Sequence, residues 1–243
     1  MSKGFRIGDL EIGSGFLMIG GPCAIESEEQ LFETAKAIKD KIQILRGGAF
    51  KPRTKPGSFE GLGVEGLKIL KKVSQELNIP TVTEVLDTRD VETAAEYTDI
   101  LQIGARNMQN YELLKEAGKT GKLILLKRGL AATIEEWLSA AEYILKEGND
   151  KVILCERGIR TFETETRFTL DIAGALIAKQ KSDFPVIIDP SHGTGRKELI
   201  KPLVLAAKAA GLDGAMVEVH WKPKEAKCDK DQALTPDQFN LIL

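Results

Sequence analysis

Arg46, Lys51, Arg53, Arg106, Lys127 and Arg157 are six cations that stand at or shortly after the ends of short apolar runs. Brought to one place they would repel one another unless a polyanion sat between them. The planar fork of arginine and the point charge of lysine suit phosphate and carboxylate groups. The densest part of the set is Arg46-Gly-Gly-Ala-Phe-Lys51-Pro-Arg53-Thr54, whose glycines allow a tight turn or a close approach to a ligand. Taken singly, each cation reads equally well as a solvated residue or as the partner of a neighbouring acid. Taken together at one topological level, they point to a guest with several phosphate or carboxylate groups.

Cys23, His192, Glu218 and Asp229 form a second group. A thiolate, an imidazole and two carboxylates are competent ligands for a divalent transition ion such as Mn, Fe, Zn or Co, although their spacing is not that of a local finger. Singly, Cys23 also reads as a small buried hydrophobe and His192 as a helix-capping donor. Their common position after apolar runs argues for a metal. Cys155 lies inside an apolar run and reads as core.

The elements that must position these residues repeat. Apolar runs at 16–19, 42–45, 81–85, 100–103, 123–126, 152–154, 186–188 and 215–219 alternate with amphipathic stretches at 28–39, 64–77, 91–97, 111–117, 134–146, 166–179 and 198–210, and a further helix is signalled by Thr235-Pro236. Continuous apolar strands are those of a parallel sheet buried on both faces. Eight βα units predict an α/β fold, a (β/α)8 TIM barrel, preceded by a short β-hairpin around Gly8-Asp9. The alternative, an open doubly wound sheet, usually carries a glycine fingerprint after its first strand, and Gly20-Gly21-Pro22-Cys23 is not one. The reading is a single barrel domain over 1–243, with 1–14 as the hairpin extension.

If the barrel is right, its active face also collects Glu26, Glu84, Asp87, Asn107, Arg128, Glu156, Arg160, Asp189, Ser191 and His220 from the strand ends. The composition is that of an ordinary globular chain, 42% hydrophobic and 29% charged with net charge −2, which gives no basic field for nucleic acid. Three scattered cysteines suit a reducing compartment, and neither an apolar signal core nor a spanning run is present, so a cytoplasmic location with no membrane partner is expected.

Seven blocks then carry a resemblance: 21–27 (GPCAIES), 48–54 (GAFKPRT), 103–107 (IGARN), 126–129 (LKRG), 155–163 (CERGIRTFE), 188–194 (IDPSHGT) and 218–220 (EVH). In this order they closely resemble 3-deoxy-D-arabino-heptulosonate 7-phosphate (DAHP) synthase, in the short branch near 3-deoxy-D-manno-octulosonate 8-phosphate synthase. The resemblance implies a metal-dependent barrel that condenses phosphoenolpyruvate with D-erythrose 4-phosphate and releases phosphate, at the entry to the shikimate pathway and aromatic amino acid biosynthesis. It further implies Cys23, His192, Glu218 and Asp229 as metal ligands, and Arg46, Lys51, Arg106, Lys127 and Arg157 as holders of phosphoenolpyruvate. Arg53, with Thr54, would receive the aldose phosphate. Lys51, Cys23 and His192 would take part in catalysis, with Lys51, Glu84, His220 or a metal-bound water as candidates for moving protons. A homo-oligomer, tetramer or dimer, is also implied. The alternative is the octulosonate synthase, acting on arabinose 5-phosphate, from which Lys51-Pro-Arg-Thr54 departs. A non-catalytic phosphosugar-binding barrel would not need all four ligands.

Two further expectations follow. Cys228 stands before Asp229 where the family often has serine, so oxidation is expected to join it to Cys23 and disable the site. After the hairpin the chain has no room for a regulatory or mutase domain, so inhibition by aromatic amino acids is not expected.

Overall fold

The computed structural model describes residues 4–8, 10–52 and 57–243. β1 (Phe5–Ile7) and β2 (Leu10–Ile12) pair antiparallel, with Phe5 opposite Ile12. The remaining strands are β3 (Leu17–Gly21), β4 (Ile44–Arg46), β5 (Thr81–Val85), β6 (Ile100–Ile103), β7 (Leu123–Lys127), β8 (Val152–Glu156), β9 (Val186–Ile188) and β10 (Gly214–Glu218). They run parallel in the closed order β10-β3-β4-β5-β6-β7-β8-β9, so the expected (β/α)8 barrel with its N-terminal hairpin is present.

The helices are α1 (Glu28–Ile38), α2 (Val64–Leu77), α3 (Thr88–Tyr97), α4 (Tyr111–Lys119), α5 (Ile134–Lys146), α6 (Ile172–Lys181), α7 (Pro190–Thr194), α8 (Ile200–Ala209) and α9 (Pro236–Asn240). Their starts are written locally: Ser27 caps α1 by accepting from Gln30 N, and Thr133 with Glu136 closes a capping box on α5. Among the described residues no helix is long and apolar enough to cross a membrane.

Two helix starts and one short helix differ from the sequence expectation. α3 opens at Thr88 because Asp87 caps it, accepting from Arg89 N. α6 opens at Ile172, where Asp171 accepts from Gly174 N, while residues 159 and 169 pair as an antiparallel bridge. Phe168 and Ile172 stand at helical i,i+4 spacing, yet Phe168 lies in a bend before the helix begins. α7, the carrier of His192, is a single turn that no periodicity could announce.

The two-residue period of the strands sorts every side chain inward or outward. Ile19, Ile44, Val82, Ile100, Leu125, Ile153, Ile187 and Met216 pack together inside the barrel, and Phe5 and Ile12 of the hairpin join them. Leu17 and Leu123, at the strand starts, belong to this same cluster, so the hairpin floors the N-terminal end. Withdrawing Phe5 and Ile12 from water contributes roughly 1.5–3 kcal/mol each. The alternate residues, among them Met18, Leu45, Leu101, Leu126, Leu154 and Val217, face the helices.

Candidate active site

Two residues beyond the inward apolar side chains, the same parity delivers the mouth. Ile44 leads to Arg46, Val82 to Glu84, Ile100 to Gln102, Leu125 to Lys127, Cys155 to Arg157, Ile187 to Asp189 and Met216 to Glu218. A cavity of about 320 Å³ opens there, lined by Arg46, Lys51, Glu84, Gln102, Arg106, Lys127, Arg157, Arg167, Phe168, His192 and Asp229. Of the described residues expected to hold metal or substrate, all but Cys23 and Glu218 line it. Cys23 and Glu218 sit at its inner wall through the contacts given below, and Arg53 and Thr54 lie outside the described residues.

Side chains one residue out of phase face away. Arg128 and Glu156, both buried, pair with each other at 3.1 Å behind the barrel wall, and Arg128 also reaches Asp171 at 2.8 Å. Asp87 is drawn into its own cap and into an exposed pair with Arg89 at 2.8 Å. Neither Asp87, Asn107, Arg128, Glu156 nor Arg160 lines the cavity.

The expected ligand set converges. One ligand atom from each of Cys23, His192, Glu218 and Asp229 lies within 4.8 Å of the others. Cys23 Sγ stands 2.9 Å from Asp229 Oδ2, and His192 Nε2 stands 3.0 Å from Glu218 Oε1. Glu218 Oε1 is fully buried and makes no hydrogen bond, while its Oε2 accepts from Gln232 Nε2 at 2.6 Å. His192 Nδ1 faces Asp189 Oδ2 at 2.7 Å, which turns Nε2 towards the cluster. An orphaned carboxylate oxygen, a thiol, an imidazole with its far nitrogen anchored and a second carboxylate are donors that fit a divalent transition ion.

The electrostatics follow from burial against pairing. Burial would raise the Glu218 carboxyl, but His192 and Arg46 outweigh it and hold it well below the usual range. Burial would raise Asp189 too, and His192 and Lys127 reverse the sign. Burial would lower His192, yet Asp189 and Glu218 push it up to about 9. Burial pushes the Cys23 thiol well up, with Cys228 and Glu218 adding to it. Cys228 packs beside Cys23, and all three cysteines are free.

The cations divide by partner. Lys127 Nζ donates to Asp189 Oδ2 at 2.5 Å. Lys51 Nζ contacts Cys23 Sγ and lies 3.5 Å from Asp229. Arg46 Nη1 is 3.3 Å from Glu218 Oε1, close enough for an ion pair but without hydrogen-bond geometry. Pairing with neighbouring acids, the alternative open for any single cation, thus holds for these three. Among the described residues it does not hold for Arg157, which is buried with Nη1 unpartnered and whose guanidinium is pulled below its usual range by that burial.

Gln102, Arg167, Phe168 and Gln232 were not singled out from the sequence. Gln102 had a signal, a polar residue at an inward position of an otherwise apolar strand, and its Nε2 donates to Glu84 Oε2 at 3.2 Å. Arg167 reaches Asp229 at 3.4 Å and Gln232 at 3.2 Å from a loop that carries no such pattern. Of the candidates for proton movement, Lys51 and Glu84 line the cavity, whereas His220 does not; it is buried with Nε2 3.8 Å from Glu26.

Comparison with known proteins agrees with this chemistry. The sequence model of the DAHP synthetase I family matches residues 5–243. The chain is 50% identical over 239 residues to a phospho-2-dehydro-3-deoxyheptonate aldolase of Thermotoga maritima, covering 98% of this chain and 71% of that one. A crystal structure of the T. maritima enzyme superposes with a TM-score of 0.96 at 48% identity, over 99% of this chain and 71% of that one. A truncated form of it gives 0.93 at 47%, over 99% of this chain and 89% of that one. A 2-dehydro-3-deoxyphosphooctonate aldolase of Koribacter versatilis is 35% identical over 257 residues, covering 96% of this chain and 91% of that one. The chain therefore belongs to the DAHP synthetase I family.

Proposed function

We propose that the barrel mouth is where this DAHP synthase condenses phosphoenolpyruvate with erythrose 4-phosphate. The observation that carries the assignment is the convergence of Cys23, His192, Glu218 and Asp229 beside a cavity lined by Arg46, Lys51, Lys127 and Arg157. Arg157, with an open donor, takes the phosphate of phosphoenolpyruvate, with Arg106 at the rim. Arg46, Lys51 and Lys127, which stand beside Glu218, Asp229 and Asp189, hold the carboxylate. Arg53 and Thr54 receive the aldose phosphate, an assignment that rests on the motif alone.

A divalent ion held by the four ligands would supply Lewis acidity towards the aldehyde oxygen. The residues around it fix two anionic reactants so that carbon 3 of phosphoenolpyruvate faces the aldehyde carbon, which replaces a bimolecular encounter by an oriented one. Water adds at carbon 2 and phosphate departs with its bridging oxygen. Glu84, steadied by Gln102, stands in the cavity to hold the proton of that water. Lys51 stays charged: burial would lower it, but Cys23, Glu218 and Asp229 raise it well above the ordinary value. It therefore serves as a fixed cation, since an ammonium held that far above its ordinary value neither gives up its proton readily nor acts as a base.

We read 1–243 as one catalytic domain of a cytoplasmic homo-oligomer, tetramer or dimer, whose mass in light scattering would check that state. Phosphate release with phosphoenolpyruvate plus erythrose 4-phosphate, against arabinose 5-phosphate, with and without chelator, tests the function. Preference for the pentose, or activity untouched by chelation, would overturn it.

A further inference from the structure

The buried cations of the mouth are held in two different ways. Arg46, Lys51 and Lys127 each face a carboxylate. Arg157 is only 6% exposed, yet among the described residues no carboxylate lies within ion-pair distance of it and its Nη1 has no hydrogen-bond partner. What it has instead is a ring: its Cζ sits 4.3 Å from the centroid of Phe168.

That ring is placed with care by the backbone around it. Phe168 N donates to Gly193 O at 2.9 Å, and Arg167 N donates to Thr194 O at 2.8 Å, which lashes the segment to the turn carrying His192. On the other side Ile159 and Thr169 exchange two hydrogen bonds of 3.0 Å. Gly158, next to Arg157, has φ +90°, and a Cβ there would fall 2.7 Å from Phe168 Cβ. Only glycine lets the strand end and the ring approach this closely.

A carboxylate would orient a guanidinium equally well, but it would neutralise the charge and occupy its N–H groups. An aromatic face attracts the cation through its quadrupole and leaves the donors at the guanidinium rim free. We propose that Phe168 is a positioning residue: its ring holds the Arg157 guanidinium oriented and unneutralised, so that its donors are free for the phosphate of phosphoenolpyruvate. The proposal rests on the assignment of Arg157 to that phosphate.

The test compares apolar and aromatic replacements by steady-state kinetics. Phe168→Leu and Phe168→Met keep an apolar side chain without the π face, and Phe168→Tyr keeps the face. For a desolvated cation–π contact the two apolar variants should raise KM for phosphoenolpyruvate roughly tenfold to thirtyfold, with KM for erythrose 4-phosphate within about twofold. Phe168→Tyr should stay within about threefold of the parent in both. If the leucine, methionine and tyrosine variants behave alike, if both Michaelis constants move together, or if neither apolar variant folds, the ring is packing and the proposal falls. Arg157→Lys separates the two assignments: if it leaves KM for phosphoenolpyruvate unchanged, the placement of phosphate on Arg157 is what fails. If Arg157→Lys raises it while the apolar Phe168 variants do not, the ring's role alone fails.

Discussion

Asp189→Asn isolates one carboxylate that serves two neighbours. Its Oδ2 accepts from Lys127 Nζ at 2.5 Å and faces His192 Nδ1 at 2.7 Å, and its Oδ1 accepts from His192 N at 3.0 Å. Asp189 is fully buried and Lys127 is 4% exposed, so solvent cannot replace what is lost. An amide has a single acceptor oxygen, and whichever position it takes, at least one of these donors is left facing an NH2. Breaking a buried pair from one side costs about 3–5 kcal/mol, which for a chain of this size lowers Tm by roughly 6–20 °C. His192 also loses the anchor of its far nitrogen, and affinity for a divalent ion should fall roughly tenfold to a hundredfold. Calorimetric melting and metal titration read the two effects separately. The double variant Asp189→Asn, Lys127→Met removes the stranded ammonium, so it should recover about 2 kcal/mol or more of stability while metal affinity stays low. A single variant within about 1 kcal/mol of the parent, or a double variant no more stable than the single, would refute the reasoning.

Three other perturbations address separate parts of the mouth. Gly104→Ala would place a Cβ 2.0 Å from Glu84 Oε1, so Glu84 must swing away from Gln102; kcat should fall about tenfold or more with a Tm shift of only a few degrees, and unchanged kcat would remove Glu84 from the chemistry. Because Cys228 packs on Cys23, peroxide should inactivate the parent with a Cys23 to Cys228 linkage visible by peptide mapping, and Cys228→Ser should be spared; inactivation without that linkage counts against it. Arg53→Ala should raise KM for erythrose 4-phosphate far more than KM for phosphoenolpyruvate, and equal effects would undo the division of the 46–54 segment between the two substrates.

The barrel was legible because its strands are short unbroken apolar runs, which only a sheet covered on both faces explains. The same feature hid the inward or outward sense of each residue, since both faces are apolar until the run ends. Arg128 and Glu156 were therefore grouped with Lys127 and Arg157, although one step of parity sends them behind the wall. Counting by two from Leu125 and Cys155 would have separated them. Asp189 was visible at a strand end, but its task of orienting His192 depends on a turn of five residues, too short for any hydrophobic period. Phe168 fell inside the helical stretch expected over 166–179, where Ile172 lies four residues on; only the hydrogen bonds of Phe168 to Gly193 and of Thr169 to Ile159 reveal a strap ahead of the helix.

The pairing pattern bears on why ion and substrate sites form one electrostatic unit. Lys127 is matched to Asp189, a carboxylate outside the ligand set that touches it only through His192. Arg46 and Lys51 are matched to Glu218 and Asp229, which belong to that set. Any positive charge accepted by those two carboxylates is charge no longer available to the two cations, and an incoming polyanion is the group that restores the balance. Arg157, which among the described residues has no carboxylate within ion-pair distance and lies over the Phe168 ring, is under the proposed assignment the cation left open to that anion. A mouth whose cations each had a carboxylate of their own would bind ion and substrate independently. This one shares its carboxylates, so substitution of Glu218 or Asp229 must disturb both binding events at once.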